Sequence, residues 1–249
     1  MRSSDPRQGS GPQSAVAAAA ISARLQQLAD PERARLLQRY FKTAPGEYAE
    51  GDVFIGLKVP EVRSLLKEFR NLTPAEVLPL LASGIHEERL FALLALVRCF
   101  DKGDSAVREQ IYALYLAHTG SINNWDLVDC SAPAIVGGYL LEHDREPLYR
   151  LARSTSLWER RIAILATFAF IRCNQFDDSL AIGRMLLNDR EDLIHKAAGW
   201  MLREVGKRGQ AVAEEFLRCH CHVMPRTMLR YAIERFPAEK RQMYLAGSC

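Results

Sequence analysis

One pattern limits the fold of this chain more than any other: a short helical phrase that returns at nearly constant spacing. Glu88-Arg89-Leu90-Phe91-Ala92-Leu93-Leu94-Ala95 is answered by Arg160-Arg161-Ile162-Ala163-Ile164-Leu165-Ala166, and again by Lys196-Ala197-Ala198-Gly199-Trp200-Met201-Leu202-Arg203. Arg89 and Arg161 stand 72 positions apart and Arg161 and Lys196 stand 35 apart, so the unit is about 36 residues. A helix pair of that length cannot bury its apolar face alone, whereas stacked pairs share one continuous core. The expectation is an all-α, HEAT-like helical-repeat solenoid; tetratricopeptide and ankyrin signatures are absent. A basic residue at the same position of successive helices would line a concave basic cleft suited to a phosphate backbone. Any single one of these arginines, taken alone, reads more readily as a solvated helix terminus.

Punctuation supports this architecture. Breaks at Asp30-Pro31, Ala44-Pro45-Gly46, Thr73-Pro74, Lys102-Gly103-Asp104 and Met224-Pro225 separate helical segments from Ala15 onward. Val53 to Val59 is the one stretch with strand-like residues, and Gly56 and Pro60 favour a loop there. Residues 1–13, rich in Ser, Gly, Pro and Arg, read as a disordered tail ahead of one repeat domain over 14–249.

Composition narrows the setting. At 48% hydrophobic, 249 residues can bury a substantial core, yet no apolar run is long enough to cross a bilayer. Six cysteines show no C-x-x-C pair and no disulfide-framework spacing, and Cys99 and Cys173 read as small core residues. A reduced, soluble, cytoplasmic protein is expected. The net charge of +3 is unevenly spread. Residues 1–149 hold 16 Lys+Arg against 19 Asp+Glu, and residues 150–249 hold 17 against 11. The surplus of +6 in the second part points mildly to a polyanionic partner.

The chemistry-bearing segment is Asn123-Asn124-Trp125-Asp126-Leu127-Val128-Asp129. The asparagines mark a helix start, and Trp125 and Asp129, four apart, share a face of its first turns. An indole beside a carboxylate can hold a flat or cationic group and stabilise positive charge. A core Trp with a capping Asp remains the bland alternative. Three other clusters bear on the choice. Trp158-Glu159-Arg160-Arg161 opens a long apolar helix, and Trp200 and Arg203 share a face of another. Pro225-Arg226-Thr227 places an arginine against a helix dipole, which an anionic neighbour would explain. Cys219-His220-Cys221-His222 looks zinc-like, but side chains two apart on a helix diverge, and no metal is assigned.

Together these motifs resemble the AlkD-type DNA alkylation repair glycosylases, over roughly Arg35 to Tyr244. The resemblance rests on Trp125-Asp126-Leu127-Val128-Asp129, on Trp158-Glu159-Arg160-Arg161, and on Lys196 to Glu204. It implies a monofunctional hydrolase that removes cationic N3- and N7-alkylated purines from double-stranded DNA without extruding the base, as a monomer and with no cofactor. It also implies that Trp125 and Trp200 flank the deoxyribose, that Asp129 faces its anomeric carbon, and that Arg161 lies beside Asp129 and the backbone. Tyr40 is expected near the same site, and Lys196, Arg203, Lys207 and Arg226 are the expected DNA contacts. Ala169 stands where some members of the family have lysine, so one phosphate contact is expected to be missing.

The reaction is sensible on its own terms. An alkylated purine leaves as a neutral base, so no general acid is required, and the barrier lies in an oxocarbenium-like sugar. Two rivals remain at this level: a catalytically silent binder of damaged or branched DNA, and a protein-interaction scaffold, the commonest use of helical repeats.

Overall fold

The computed structural model describes residues 12–248; most of the expected N-terminal tail, residues 1–11, lies outside them, and the first helix opens at Pro12. The described residues are all-α, with no strand and a single isolated parallel bridge between Val53 and Ile85. The chain packs as two compact units, Met1–Leu127 and Val128–Cys249. No helix is long and apolar enough to cross a membrane.

The first unit holds α1 (Pro12–Gln27), α2 (Pro31–Tyr40), α3 (Val59–Glu68), α4 (Pro74–Leu81), α5 (His86–Lys102) and α6 (Ser105–Ala117). Local chemistry sets their starts. Asp30 accepts from the amides of Glu32 and Arg33 ahead of Pro31, and Thr73 and Glu76 form a reciprocal box around Pro74. Helix α5 is buried from His86 through Leu96, so its weak amphipathicity reflects a central position, surrounded on all sides.

The expected loop after Gly51 is extended and held by one side chain. Glu87, 1% exposed, accepts from the amides of Ile55 (3.0 Å), Gly56 (2.8 Å) and Leu57 (3.1 Å). Those donors need no partner strand, because a single carboxylate satisfies them. Gly56 has φ +96, and a Cβ there would lie 2.2 Å from the Asp30 carbonyl oxygen, so only glycine fits.

Helix α7 (Trp125–Ala132) contains the border between the units. The second unit continues through a π-helical turn, Pro133–Gly137, into α8 (Gly138–Leu140). Pro133 has no N–H to give the preceding turn, and the helix widens there. Then follow α9 (Glu146–Ala152), α10 (Leu157–Arg172), α11 (Asp177–Met185), α12 (Asp192–Gly206), α13 (Gln210–His220), α14 (Arg226–Ala232) and α15 (Ala238–Ala246). Helix α10 packs on α9, α12 and the π turn, and α12 packs on α14. The inner helices α5, α10 and α12 begin 71 and 35 positions apart, matching the period of the repeated phrase.

Ala169 is a packing residue in this unit. It is 9% exposed, and a Cβ on Gly137 would come within 2.8 Å of its own. Its methyl therefore packs against the π turn. Neither thiol expected in the core lies there: Cys99 is half-buried and Cys173 is exposed. It caps the end of α10, where Asn174 turns with φ 58, and so escapes the core. Among the described residues Cys99, Cys173 and Cys219 are free thiols.

Candidate functional site

Helix α7 carries Trp125 at its first position and Asp129 one turn later. Their surroundings belong to different units and differ in character.

In the first unit, Trp125 is half-buried in an aromatic cluster. Phe41 stacks on it at 5.1 Å and 14°, and Tyr40 meets it edge-on at 6.2 Å. Phe41 in turn stacks on Phe54 at 4.8 Å. The indole N–H, a donor only, bonds Tyr48; burial pushes the Tyr48 hydroxyl up, and this bond opposes the rise. Tyr40 is 66% exposed, so its ring leaves one edge to solvent.

Beneath these rings lies a charged network. His86, 1% exposed, bonds Asp52 through Nδ1 (2.9 Å) and Asp126 through Nε2 (2.8 Å). Burial pulls its pKa down, but the two carboxylates outweigh that and push it up to about 9. His86 is therefore an imidazolium, with both ring nitrogens donating. It stacks on Phe54 at 4.2 Å. Asp52 also accepts from Arg89 Nη2 (2.5 Å) and from the Asn124 amide (3.2 Å). Burial raises the Asp52 carboxyl, yet His86 and Arg89 hold it below its ordinary value. Asn124 returns a bond from the Trp125 backbone amide (2.8 Å). Asp126 thus serves His86.

In the second unit, Asp129 meets Arg161 from the first turns of α10. Nε reaches Oδ1 at 2.9 Å and Nη2 reaches Oδ2 at 2.8 Å, while Nη1 donates to the Leu193 carbonyl at 2.6 Å. The arginine side chain is 5% exposed and the aspartate 19%. Arg161 is spent on Asp129 and backbone, which leaves Asp129 the more accessible of the two. Trp200 on α12 is half-buried; its indole N–H donates to Glu204 at 3.2 Å, and Phe168 lies 6.1 Å away. Beside it Gly199 allows α14 to approach, since a Cβ there would meet the Met228 carbonyl oxygen at 2.4 Å.

The basic residues read as DNA contacts have partners of their own. Lys196 pairs with Asp192 (2.7 Å), Lys207 with Glu204 (2.6 Å), and Arg203 with Glu234. Arg203 and Lys207 also line a cavity of about 290 Å³ with Arg235. Arg226 opens α14, but its guanidinium donates to the Leu245 carbonyl at the end of α15 (2.8 Å). The negative end of that helix supplies the neighbour that its position against a dipole demanded. The basic stripe expected from the repeat is likewise partnered: Arg89 and Arg161 are both buried, each against an aspartate.

Sequence reasoning missed Phe41, Asp52 and His86, and it read Asn124 as a helix start without its bond to Asp52. One signal was present in the run His86-Glu87-Glu88-Arg89, four charged residues at the head of an apolar helix, all buried. Among the described residues no cluster of acids, histidines and cysteines fit to hold a metal ion occurs.

Comparison with known proteins bears on the fold and the family. No curated protein matches the sequence. A solved structure described as a predicted DNA alkylation repair enzyme from Enterococcus faecalis is similar, with a TM-score of 0.65 and 19% identity. The match covers 84% of this chain and 97% of that one, and at this identity it speaks for the fold. The family model of DNA alkylation repair enzymes matches residues 21–236. The chain belongs to the DNA alkylation repair enzyme family.

Proposed function

We propose that this protein is a monofunctional DNA glycosylase that hydrolyses the N-glycosidic bond of cationic N3- and N7-alkylated purines in duplex DNA. The observation that carries the reading is the Asp129 carboxylate, held in one plane by the two-pronged Arg161 contact and still partly open to solvent. A fixed carboxylate with lone pairs to spare suits the sugar cation that develops as the base departs. The alkylated purine already carries the positive charge, so the leaving base takes the bonding electrons without a proton donor.

Arg161 acts on Asp129 as a positioning residue. Trp125 and Trp200 each present an indole whose N–H is occupied by its own unit. Their faces are left for sugar and base contacts that exclude water. Arg203, Lys207 and Arg235 are suited to backbone phosphates, trading carboxylate partners for DNA. The damaged base stays in its stack, and the protein works as a monomer with no cofactor.

The test is release of free base from duplex containing N7-methylguanine, with enzyme in excess. Asp129→Asn is expected to lower the rate by about 10²–10³ while keeping most DNA affinity. Equal rates in wild type and variant remove Asp129 from the mechanism, and no release by wild type removes the glycosylase reading.

A further inference from the structure

A second charged feature of the first unit lies apart from the residues given roles above. A cavity of about 390 Å³ is lined by Lys67, Arg70, Asn71, Arg98 and Lys102: four cations, one amide and no acid. Lys67 comes from the last turn of α3, Arg70 and Asn71 from the loop behind it, and Arg98 and Lys102 from the end of α5. It is a concentration of positive charge in the part of the sequence whose acids outnumber its bases.

Arg98 is preorganised. Its Nη1 donates to the Leu66 carbonyl at 2.7 Å and its Nη2 to the Phe69 carbonyl. These bonds cap the open end of α3 and fix the guanidinium, while no carboxylate neutralises it. Lys67, Arg70 and Lys102 are exposed and make no ion pair or side-chain hydrogen bond among the described residues. The acids of the neighbourhood are engaged elsewhere or stand outside the lining. Glu68 pairs with Arg24 at 3.2 Å, Glu76 accepts from Thr73 at 2.7 Å, and Asp101 does not line the cavity. Like charges converging on one space repel, and an anion that enters relieves them. Lys196, Arg203 and Lys207 differ in that each already has a carboxylate.

The cavity is also set apart from Trp125 and its supporting network. Lys102 ends the helix that His86 begins, and sixteen residues of α-helix span about 24 Å.

We propose that this cavity is a phosphate site through which the protein holds the DNA backbone away from the lesion. It rests on the reading of the protein as a DNA-repair enzyme and adds a contact that the residues of base release do not supply. An extended polyanion fits better than a lone phosphate, because four cations spread over two segments match successive backbone phosphates.

The experiment uses the full chain and a Lys67→Gln/Arg70→Gln/Lys102→Gln variant. All three side chains are exposed, and an unchanged melting temperature is the check on folding. Binding is measured against salt on a duplex of about 25 base pairs and one of about 10, each centred on N7-methylguanine. On the longer duplex the variant is expected to bind at least about tenfold more weakly, and its salt slope to be shallower by about 2–3. On the shorter duplex the two proteins are expected to bind alike, with the same base-release rate at saturation. Unchanged affinity and slope on the longer duplex overturn the proposal and leave the cavity to another anion, such as an acidic peptide. If instead both proteins bind but neither releases base, the glycosylase reading fails while the salt slopes still decide the phosphate site.

Discussion

Arg161 meets Asp129 through two parallel bonds, at 2.9 and 2.8 Å, and anchors its remaining nitrogen on the Leu193 carbonyl at 2.6 Å. The guanidinium is thereby fixed from both sides, and the plane of the carboxylate follows from it. A lysine in its place keeps the charge and loses the fork.

Arg161→Lys is therefore expected to lower the single-turnover rate of base release by about tenfold or more, with DNA affinity changed by less than about threefold. Quench-flow on N7-methylguanine duplex, paired with an equilibrium binding titration, separates the two quantities. A loss confined to affinity would mean that Arg161 serves the DNA backbone and leaves Asp129 to itself.

His86 makes stability depend on pH in a defined window. Its proton is held in the folded protein up to about pH 9, and in the unfolded chain only to about 6.5. The contribution is full below about 6.5 and is lost as pH rises through 9, on the order of 3 kcal/mol in all. Thermal melts between pH 6 and 10 are expected to fall across that interval. In His86→Gln the fall should flatten, on a protein destabilised at neutral pH because Asp52 and Asp126 lose their counter-charge. Parallel wild-type and variant curves would show that His86 does not set the slope.

Ala169→Lys tests whether that position is a missing phosphate contact or a packing site. Its methyl lies against Gly137 and is nearly buried, so a longer side chain must displace α10 or the π turn. The variant is expected to lose about 1–3 kcal/mol in urea denaturation without binding DNA more tightly. Tighter binding at unchanged stability would restore the phosphate-contact reading.

Gly199→Ala addresses the wall beside Trp200. The added methyl would meet the Met228 carbonyl oxygen at 2.4 Å and Tyr231 Cβ at 2.6 Å, forcing α12 and α14 apart. A loss of about 2 kcal/mol or more is expected, with a shift in tryptophan emission as the Trp200 surroundings loosen. A stable variant with unaltered emission would mean that the two helices can yield without cost.

Sequence alone carried the all-α character, the period of the inner helices and the position of α7, because each is written in local spacing. It also singled out Asp129 and Arg161, which the fold brings into contact across 32 positions. What it missed was partnership at long range. Asp52 meets His86 across 34 positions and Asn124 across 72, with no motif linking them. The same blindness made Lys196, Arg203, Lys207 and Arg226 look like open charges, since the acids and the carbonyl that occupy them lie on other turns or other helices. Glu87 shows the reverse case, where one buried carboxylate accounts for a loop that looked strand-like.

The four charged residues at the head of α5 are all engaged: His86 with Asp52 and Asp126, Glu87 with a loop, Glu88 with Ser22, and Arg89 with the same Asp52. No member can be exchanged without leaving a stranded charge, amide or hydroxyl. In a saturation-mutagenesis map this tetrad would stand out as sharply as a reaction centre. Intolerance to substitution would then mark a place that no substrate visits, and only variants scored for folding and for base release separately would tell scaffold from chemistry.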